Sequence, residues 1–290
     1  MARILKLLAV FVLAFTVTFC SDDDEPTTKD LTLNISGLEN LGADYVYEGW
    51  IIVNSSPVTT GRFSVNDNGE LSQSNFILNI DQLAAATTFI LTIEPAVGDD
   101  PDPSAVHILA GDFNGNTGQL SIGHGAALGN DFTSASGSYI LATPTDGAMN
   151  NENSGIWFLD LSSGSPSVGL SLPTLPAGWK YEGWAVSGGP ITSGKFTSAT
   201  GIDEFDGFSS TMSGPPFPGE DYLMNAPSGF TFPLDLSGGK AVISIEPDPD
   251  NSPAPFLLKP LVGDIPANAA DHVTYDLGQN LNFPTGTVMR

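Results

Sequence analysis

The sequence has little positive charge and almost no cysteine. It contains 9 lysine and arginine residues against 33 aspartate and glutamate residues, so its formal net charge is −24. A protein that binds nucleic acid neutralises phosphates with lysine and arginine, so this composition excludes nucleic acid as a partner. The single cysteine, Cys20, cannot form an intramolecular disulfide, and we therefore expect apolar burial to stabilise the fold.

Motifs for catalysis and for metal binding are also scarce. The three histidines are scattered, no Cys/His cluster occurs, and no Gly-x-Ser-x-Gly elbow is present. The segment 189–195 fits most of a P-loop, but Phe196 stands where that motif needs serine or threonine. We therefore predict no catalytic residue, no metal and no cofactor. Acidic loops around Asp99, Asp112 and Asp250 leave weak calcium binding open as an alternative.

The first 20 residues have the pattern of an export signal. Two basic residues precede an apolar run over residues 7–17, which is too short to span a bilayer, and Cys20 follows closely. A lone cysteine followed by several acidic residues resembles the processing site of Bacteroidetes-type bacterial lipoproteins. The resemblance implies a signal peptide over residues 1–19 and a lipidated acidic tether over residues 20–29. It also implies an exported protein, lipid-anchored at the cell envelope, at the outer membrane or the cell surface.

The rest of the chain is an internal duplication. Four motifs recur in the same order: residues 47–50 (YEGW) at 181–184, 60–63 at 193–196, 93–95 at 245–247, and 110–113 at 262–265. The spacing between copies is 134 residues at the first motif and 152 at the last two, so the second copy carries 18 additional residues. We predict a first repeat over residues 30–163 and a second repeat over residues 164–290.

The local pattern predicts an all-β fold. Short β-prone runs are bounded by glycine, proline, asparagine and serine, which is typical of antiparallel sandwiches, so we expect two tandem antiparallel β-sandwich domains. Predicted strands lie near 30–35, 46–53, 58–65, 75–80, 88–94, 105–110, 118–122, 137–143, 155–160, 167–172, 180–186, 191–197, 229–236, 240–246, 256–262, 273–277 and 285–289, with a helical turn at 81–86. Segment 285–288 is similar to segment 136–139, after which the second repeat has no counterpart of residues 140–160. The sequence leaves two alternatives open: this hairpin is missing from the second repeat, or its strand is supplied differently.

The ordered motifs resemble the extracytoplasmic C-terminal domain of anti-sigma-K factors. The resemblance covers about residues 31–160 well and residues 166–290 more loosely. It implies an exported, sensor-like module. Sigma inhibition is not implied, because the cytoplasmic sigma-binding domain and membrane helix of that family have no counterpart in this sequence.

The repeated motifs also predict two ion pairs. Glu48 shares a strand face with Trp50, and a buried carboxylate needs a partner. The next strand offers a cation in both repeats, so we expect Glu48 to pair with Arg62 and Glu182 to pair with Lys195. Both pairs are interpreted as structural contacts that hold their hairpins.

The additional residues of the second repeat are the expected place for specificity. Aromatic residues among prolines and glycines predict a binding surface that includes Phe205, Phe208, Phe217 and Tyr222. The alternative is that these rings fold back and cover the end of the sandwich. We expect a non-enzymatic binding module for an envelope protein or glycan. A sensor in an anti-sigma system and an envelope polysaccharide hydrolase are the alternatives, and the sequence does not indicate the oligomeric state.

Overall fold

The structure is a computed structural model that describes residues 26–250 and 252–290. The predicted signal peptide and Cys20 lie outside these residues. The strands are β1 (Thr28–Ser36), β2 (Tyr45–Val53), β3 (Ser56–Phe63), β4 (Asn75–Asn79), β5 (Ala86–Pro95), β6 (His107–Asn114), β7 (Thr117–Ser121), β8 (Ser136–Leu141), β9 (Gly155–Trp157), β10 (Leu159–Asp160), β11 (Ser167–Val168), β12 (Leu170–Ser171), β13 (Trp179–Val186), β14 (Pro190–Phe196), β15 (Gly219–Asp221), β16 (Lys240–Pro247), β17 (Leu261–Asp264), β18 (Tyr275–Gln279) and β19 (Thr285–Met289). A short helix, α1 (Ile80–Ala85), and a 3-10 turn, Glu152–Ser154, complete the elements. Within the described ranges, no helix is long and apolar enough to span a bilayer.

The strands follow from side-chain alternation. In β1, the buried residues Leu31, Leu33 and Ile35 alternate with more exposed neighbours, as expected for a strand with one face on the core. In β5, every residue from Phe89 to Glu94 is buried, because one face packs in the main apolar cluster and Ile90 on the other face packs in a second cluster with Trp50. The predicted all-β class is confirmed.

Two large antiparallel sheets make up the fold. The first sheet has the order β3-β2-β5-β6-β7-β19-β1-β4, and the second has the order β14-β13-β16-β17-β18-β8-β9-β15, with β12 also paired to β8. In each sheet the first and last strands contact each other, so the sheet curls around its buried face. Buried apolar side chains form a continuous cluster that includes residues from both sheets.

The two sheets exchange a strand. β8 follows β7 in the chain but pairs with β18 in the second sheet, with Tyr139 opposite Tyr275. β19 follows β18 but lies between β7 and β1 in the first sheet, where Val288 is opposite Gly118 and Leu33. The two similar segments seen in the sequence therefore take equivalent places in the opposite sheets. Of the two alternatives for the end of the second repeat, the structure shows the one in which its strand is supplied by the other repeat.

Several predicted boundaries differ from the structure. The sheets do not follow the predicted bounds 30–163 and 164–290, because β8 and β9 belong to the second sheet and β19 belongs to the first. β1 begins at Thr28, inside the predicted tether. No strand forms over residues 229–236, where Gly229 and Pro233 interrupt the chain, and the short strand of this region is β15 instead. The helical turn predicted at 81–86 is α1, which Asn79 caps by accepting hydrogen bonds from the amides of Asp81 and Gln82.

Candidate functional site

The repeated Tyr-Glu-Gly-Trp motif forms a β-bulge in both repeats. The register between β2 and β3 shifts after Gly49, which leaves Thr60 as the extra residue of the bulge. A Cβ atom on Gly49 would overlap the Thr60 hydroxyl and come within 2.9 Å of the Phe89 ring. Gly183 occupies the same position over Ser193 in the second repeat. Glycine is therefore required by a close approach of neighbouring atoms, which is a structural role.

A tryptophan hydrogen bond accompanies each bulge. Trp50 Nε1 donates to Thr92 Oγ1 at 2.9 Å, and Trp184 Nε1 donates to Ser244 Oγ at 2.8 Å. All four side chains are buried. The duplication thus preserves a polar contact between β2 and β5 in the first repeat and between β13 and β16 in the second.

The first predicted ion pair is present in the structure. Arg62 Nε lies 2.6 Å from Glu48 Oε2, and the same guanidinium also contacts the carboxylate of Asp99 through its Nη2 atom. Thr59 donates its hydroxyl to the other oxygen of Glu48. Both oxygens of this buried carboxylate are therefore engaged.

The second repeat arranges the corresponding residues differently. Lys195 lies opposite Glu182 in the register, but its Nζ lies 3.2 Å from Asp250 Oδ2, and no ion pair within 4.0 Å joins it to Glu182. The lysine is shorter and has one charged nitrogen, so it does not span both carboxylates as arginine does. Glu182 Oε1 accepts from Thr192, whereas Oε2 is buried without a hydrogen-bond partner. Burial raises the pKa of Glu182 to about 7.

The aromatic residues predicted as a binding surface divide into two groups. Tyr222 is fully buried and Phe208 packs against it, so these two rings belong to the core, as the alternative interpretation proposed. Phe205 and Phe217 are half-buried and line a pocket. The structure therefore brings two of the four predicted residues to a concave surface.

We call this concavity the insertion pocket. It has a volume of about 470 Å³, and its wall includes Trp157, Asp203, Phe205, Met212 and Phe217. Met212 is 55% exposed at the pocket. The neighbouring residue Ile202 also lines the pocket and is exposed. Trp157 comes from β9, so the pocket combines the additional residues of the second repeat with a strand encoded 40 or more residues earlier.

Two buried carboxylates, Glu220 and Asp221, and the half-buried Asp203 support the insertion pocket. Asp221 accepts from Trp157 Nε1 at 2.8 Å and from the Thr145 amide at 2.8 Å. Glu220 accepts from the Asp221 amide at 2.9 Å, and Asp203 accepts from the Gly219 amide at 2.8 Å. These bonds connect β15 to β9 and to the loop between β14 and β15. Sequence reasoning missed the three acids, because each finds its donors in residues distant along the chain or in backbone amides.

Burial raises the pKa values of these three carboxyl groups. Desolvation raises the pKa of Glu220 to about 7 and that of Asp203 to about 6, although hydrogen bonds to each carboxylate act in the opposite direction. The pKa of Asp221 is raised for the same reason. In the pocket wall, Glu204 keeps a charge partner, since Lys180 Nζ lies 2.9 Å from its Oε2.

The calcium alternative has one counterpart in the described part of the chain. Glu182, Glu246 and Asp250 form the one group there whose carboxylate oxygens converge within 4.8 Å of one another. The loop at Asp112 instead bonds Thr88 at 2.7 Å and faces His124. We call the group of Glu182, Glu246 and Asp250 the carboxylate cluster.

Comparison with known proteins gives no relative for this chain. No family model, no curated protein and no solved structure matches it significantly.

Proposed function

We propose that this chain is a non-enzymatic, lipid-anchored cell-envelope protein that binds a glycan in the insertion pocket. The observation that carries the proposal is the lining of the pocket, where Phe205 and Phe217 stand beside carboxylates and hydroxyl groups in a cavity of about 470 Å³. Cavities of this size hold ligands of a few hundred daltons.

The chemistry of the wall favours a saccharide. A sugar ring has apolar C–H faces that pack on aromatic rings and hydroxyl groups that donate to carboxylates. The pocket supplies both, with Phe205 and Phe217 as rings and Asp206 as an acceptor. Because its charge is negative, we expect neutral or amino sugars to bind in preference to uronic acids. A protein partner would use a larger and flatter surface.

The buried acids favour binding over hydrolysis. A glycoside hydrolase needs one carboxyl group that delivers a proton and a second that faces the substrate. Glu220 and Asp221 both accept hydrogen bonds from the protein and are fully buried. Asp203 lines the pocket, but its two oxygens accept from the backbone amides of Phe205 and Gly219. Their raised pKa values follow from this burial, and their contacts assign them a supporting role.

The anchor part of the proposal rests on the sequence. Cys20 after an apolar segment and before an acidic tether resembles the processing site of a bacterial lipoprotein. An anti-sigma sensor, the alternative raised by the resemblance, would also need a ligand-binding step, and the pocket is the concave surface with aromatic and acidic residues that such a step would use.

A binding experiment tests the proposal. The purified full-length chain is screened against neutral hexoses, amino sugars and uronic acids. Binding is measured by calorimetry and by the change in total tryptophan fluorescence, to which Trp157 at the pocket wall contributes. We expect Phe217→Ala to weaken binding by roughly tenfold, the effect of losing one stacked ring. Phe230→Ala is the matched control, because Phe230 lies in the same region and does not line the pocket. Failure of every saccharide to bind, or an equal loss in both variants, contradicts the proposal.

A further inference from the structure

The duplication places two versions of the same carboxylate arrangement in one molecule. In the first repeat, the guanidinium of Arg62 contacts Glu48 and Asp99 together. The second repeat has Glu182 and Asp250 in the corresponding places, and Lys195 replaces the arginine. The two versions therefore differ chiefly in how many carboxylates the single cation contacts: Arg62 contacts two, and Lys195 contacts one.

The second version leaves a buried acceptor unsatisfied. Glu182 is 4% exposed and its Oε2 has no hydrogen-bond partner. An unpaired carboxylate oxygen inside a protein loses its hydration without compensation, which costs several kcal/mol in general. The adjacent acid Glu246 is fully buried and accepts from the Phe256 amide at 2.9 Å. A cation among these acids would satisfy the free oxygen.

The spacing of the acids suits a metal ion. One carboxylate oxygen from each of Glu182, Glu246 and Asp250 lies within 4.8 Å of the other two. A point equidistant from three atoms 4.8 Å apart is about 2.8 Å from each, and calcium–oxygen bonds measure about 2.3–2.6 Å. Side-chain adjustments of a few tenths of an ångström would complete the contacts. In the first repeat, the corresponding acids Glu48, Glu94 and Asp99 do not form such a group among the described residues.

The charge balance also leaves room for a cation. The carboxylate cluster has three acids and one lysine in contact, Lys195. A second lysine, Lys259, interacts electrostatically with Glu246 and with Glu39, but no ion pair within 4.0 Å joins it to either. Lys259 therefore does not compensate the cluster by itself.

We infer that Glu182, Glu246 and Asp250 form a calcium site that takes the place of the second charged contact made by Arg62 in the first repeat. All three ligands are carboxylates, which is the preference of a hard cation, and no histidine or cysteine in the described residues joins the group. Asp250 lies in the loop after β16 rather than in a strand, and calcium accepts irregular oxygen coordination whereas magnesium does not. The expected role is to hold this loop against the β13–β14 hairpin.

Calorimetric titration of calcium into the full-length chain, first treated with a chelator, tests the inference. We expect one saturable site in the native chain and a loss of roughly tenfold or more in affinity in Glu182→Gln, which removes a charged ligand. Lys195→Arg should abolish the site by a different route, since the guanidinium would bridge Glu182 and Asp250 as Arg62 bridges its acids. Glu48→Gln is the matched control and should retain the site.

The outcomes separate specific from diffuse binding. Loss of the calcium site in both Glu182→Gln and Lys195→Arg, with retention in Glu48→Gln, supports the inference. The absence of saturable binding to the native chain at millimolar calcium overturns it. Equal binding by all variants also overturns it, because this result is what diffuse attraction to a chain of net charge −24 would give.

Discussion

Replacing Val288 by alanine should loosen a sheet whose other strands come from residues more than 160 positions earlier. Val288 is fully buried in β19, opposite Leu33 of β1 and Gly118 of β7. A Cβ atom added to Gly118 would lie 3.0 Å from Val288 Cγ1, so the valine side chain fills the space above that glycine. Its truncation leaves a void in the first sheet.

The magnitude follows from the two methyl groups removed. Each buried methylene equivalent contributes about 0.8 kcal/mol, which gives about 1.6 kcal/mol for the pair. A remaining void of roughly 30 Å³ adds about 0.7 kcal/mol at about 24 cal/mol per Å³. The loss of about 2 kcal/mol corresponds to a rise of roughly 30-fold in the opening equilibrium, since about 1.4 kcal/mol is one factor of ten.

Hydrogen exchange measured by mass spectrometry locates the effect. We expect faster exchange in peptides from β1 and β7 of the Val288→Ala chain, with β13 and β16 unchanged. Tyr139→Leu is the reciprocal variant, because Tyr139 in β8 is the counterpart of Val288 and pairs with β18 in the second sheet. It should accelerate exchange in β18 instead. If each repeat retained its own strand, Val288→Ala would accelerate hydrogen exchange in the second sheet and Tyr139→Leu would accelerate it in the first. That result would refute the swap of β8 and β19 between the sheets.

Two further predictions concern the bulge and the buried acids. Gly49→Ala forces a Cβ atom against Thr60 and the Phe89 ring, so its urea midpoint should fall by the equivalent of about 1–3 kcal/mol. Gly125→Ala is the control: no atom lies within 4 Å of the added Cβ, so the midpoint should not change. Stability should also fall as pH rises from about 4.5 to about 7. In this range Glu220 keeps its proton in the folded state, where its pKa is about 7, whereas the unfolded chain, with the ordinary pKa of 4.5, has released it. Urea midpoints across this range should decline less steeply in Glu220→Gln, and an unchanged slope would contradict the assignment.

Local features of the fold were predictable from the sequence. The order of repeated motifs placed the hairpins, and the Glu48–Arg62 pairing followed from counting residues across the turn. That turn has Asn54 and Ser55 at positive φ, 51° and 66°, the backbone of a two-residue hairpin connection. Such features depend on neighbours within a few residues along the chain, where side-chain alternation and turn chemistry decide the outcome.

The exchange of strands was not predictable in the same way. Segments 136–139 and 285–288 are similar, so either could pair beside β7 or beside β18 with nearly the same local energy. The choice depends on long-range packing, such as Tyr139 stacking on Tyr275 with ring centroids 5.6 Å apart. The one signal in the sequence was the missing counterpart of residues 140–160 in the second repeat.

The candidate pocket was partly predictable. Aromatic residues among prolines in the additional segment pointed to a surface, and Phe205 and Phe217 lie there. Trp157 and Thr145 belong to a different part of the chain, so no local pattern connected them with the pocket. The difference between Arg62 and Lys195 was visible in the sequence, but its consequence for Glu182 depends on where Asp250 lies.

The position of β19 has a consequence for how the chain reaches its native state during synthesis. Residues 28–121 supply every other strand of the first sheet, yet its gap between β7 and β1 stays open until residues 285–289 have emerged. The strands of the first sheet that are synthesised first therefore cannot complete the sheet until β19 has been synthesised. Such a topology, rich in contacts between distant residues, is expected to fold slowly.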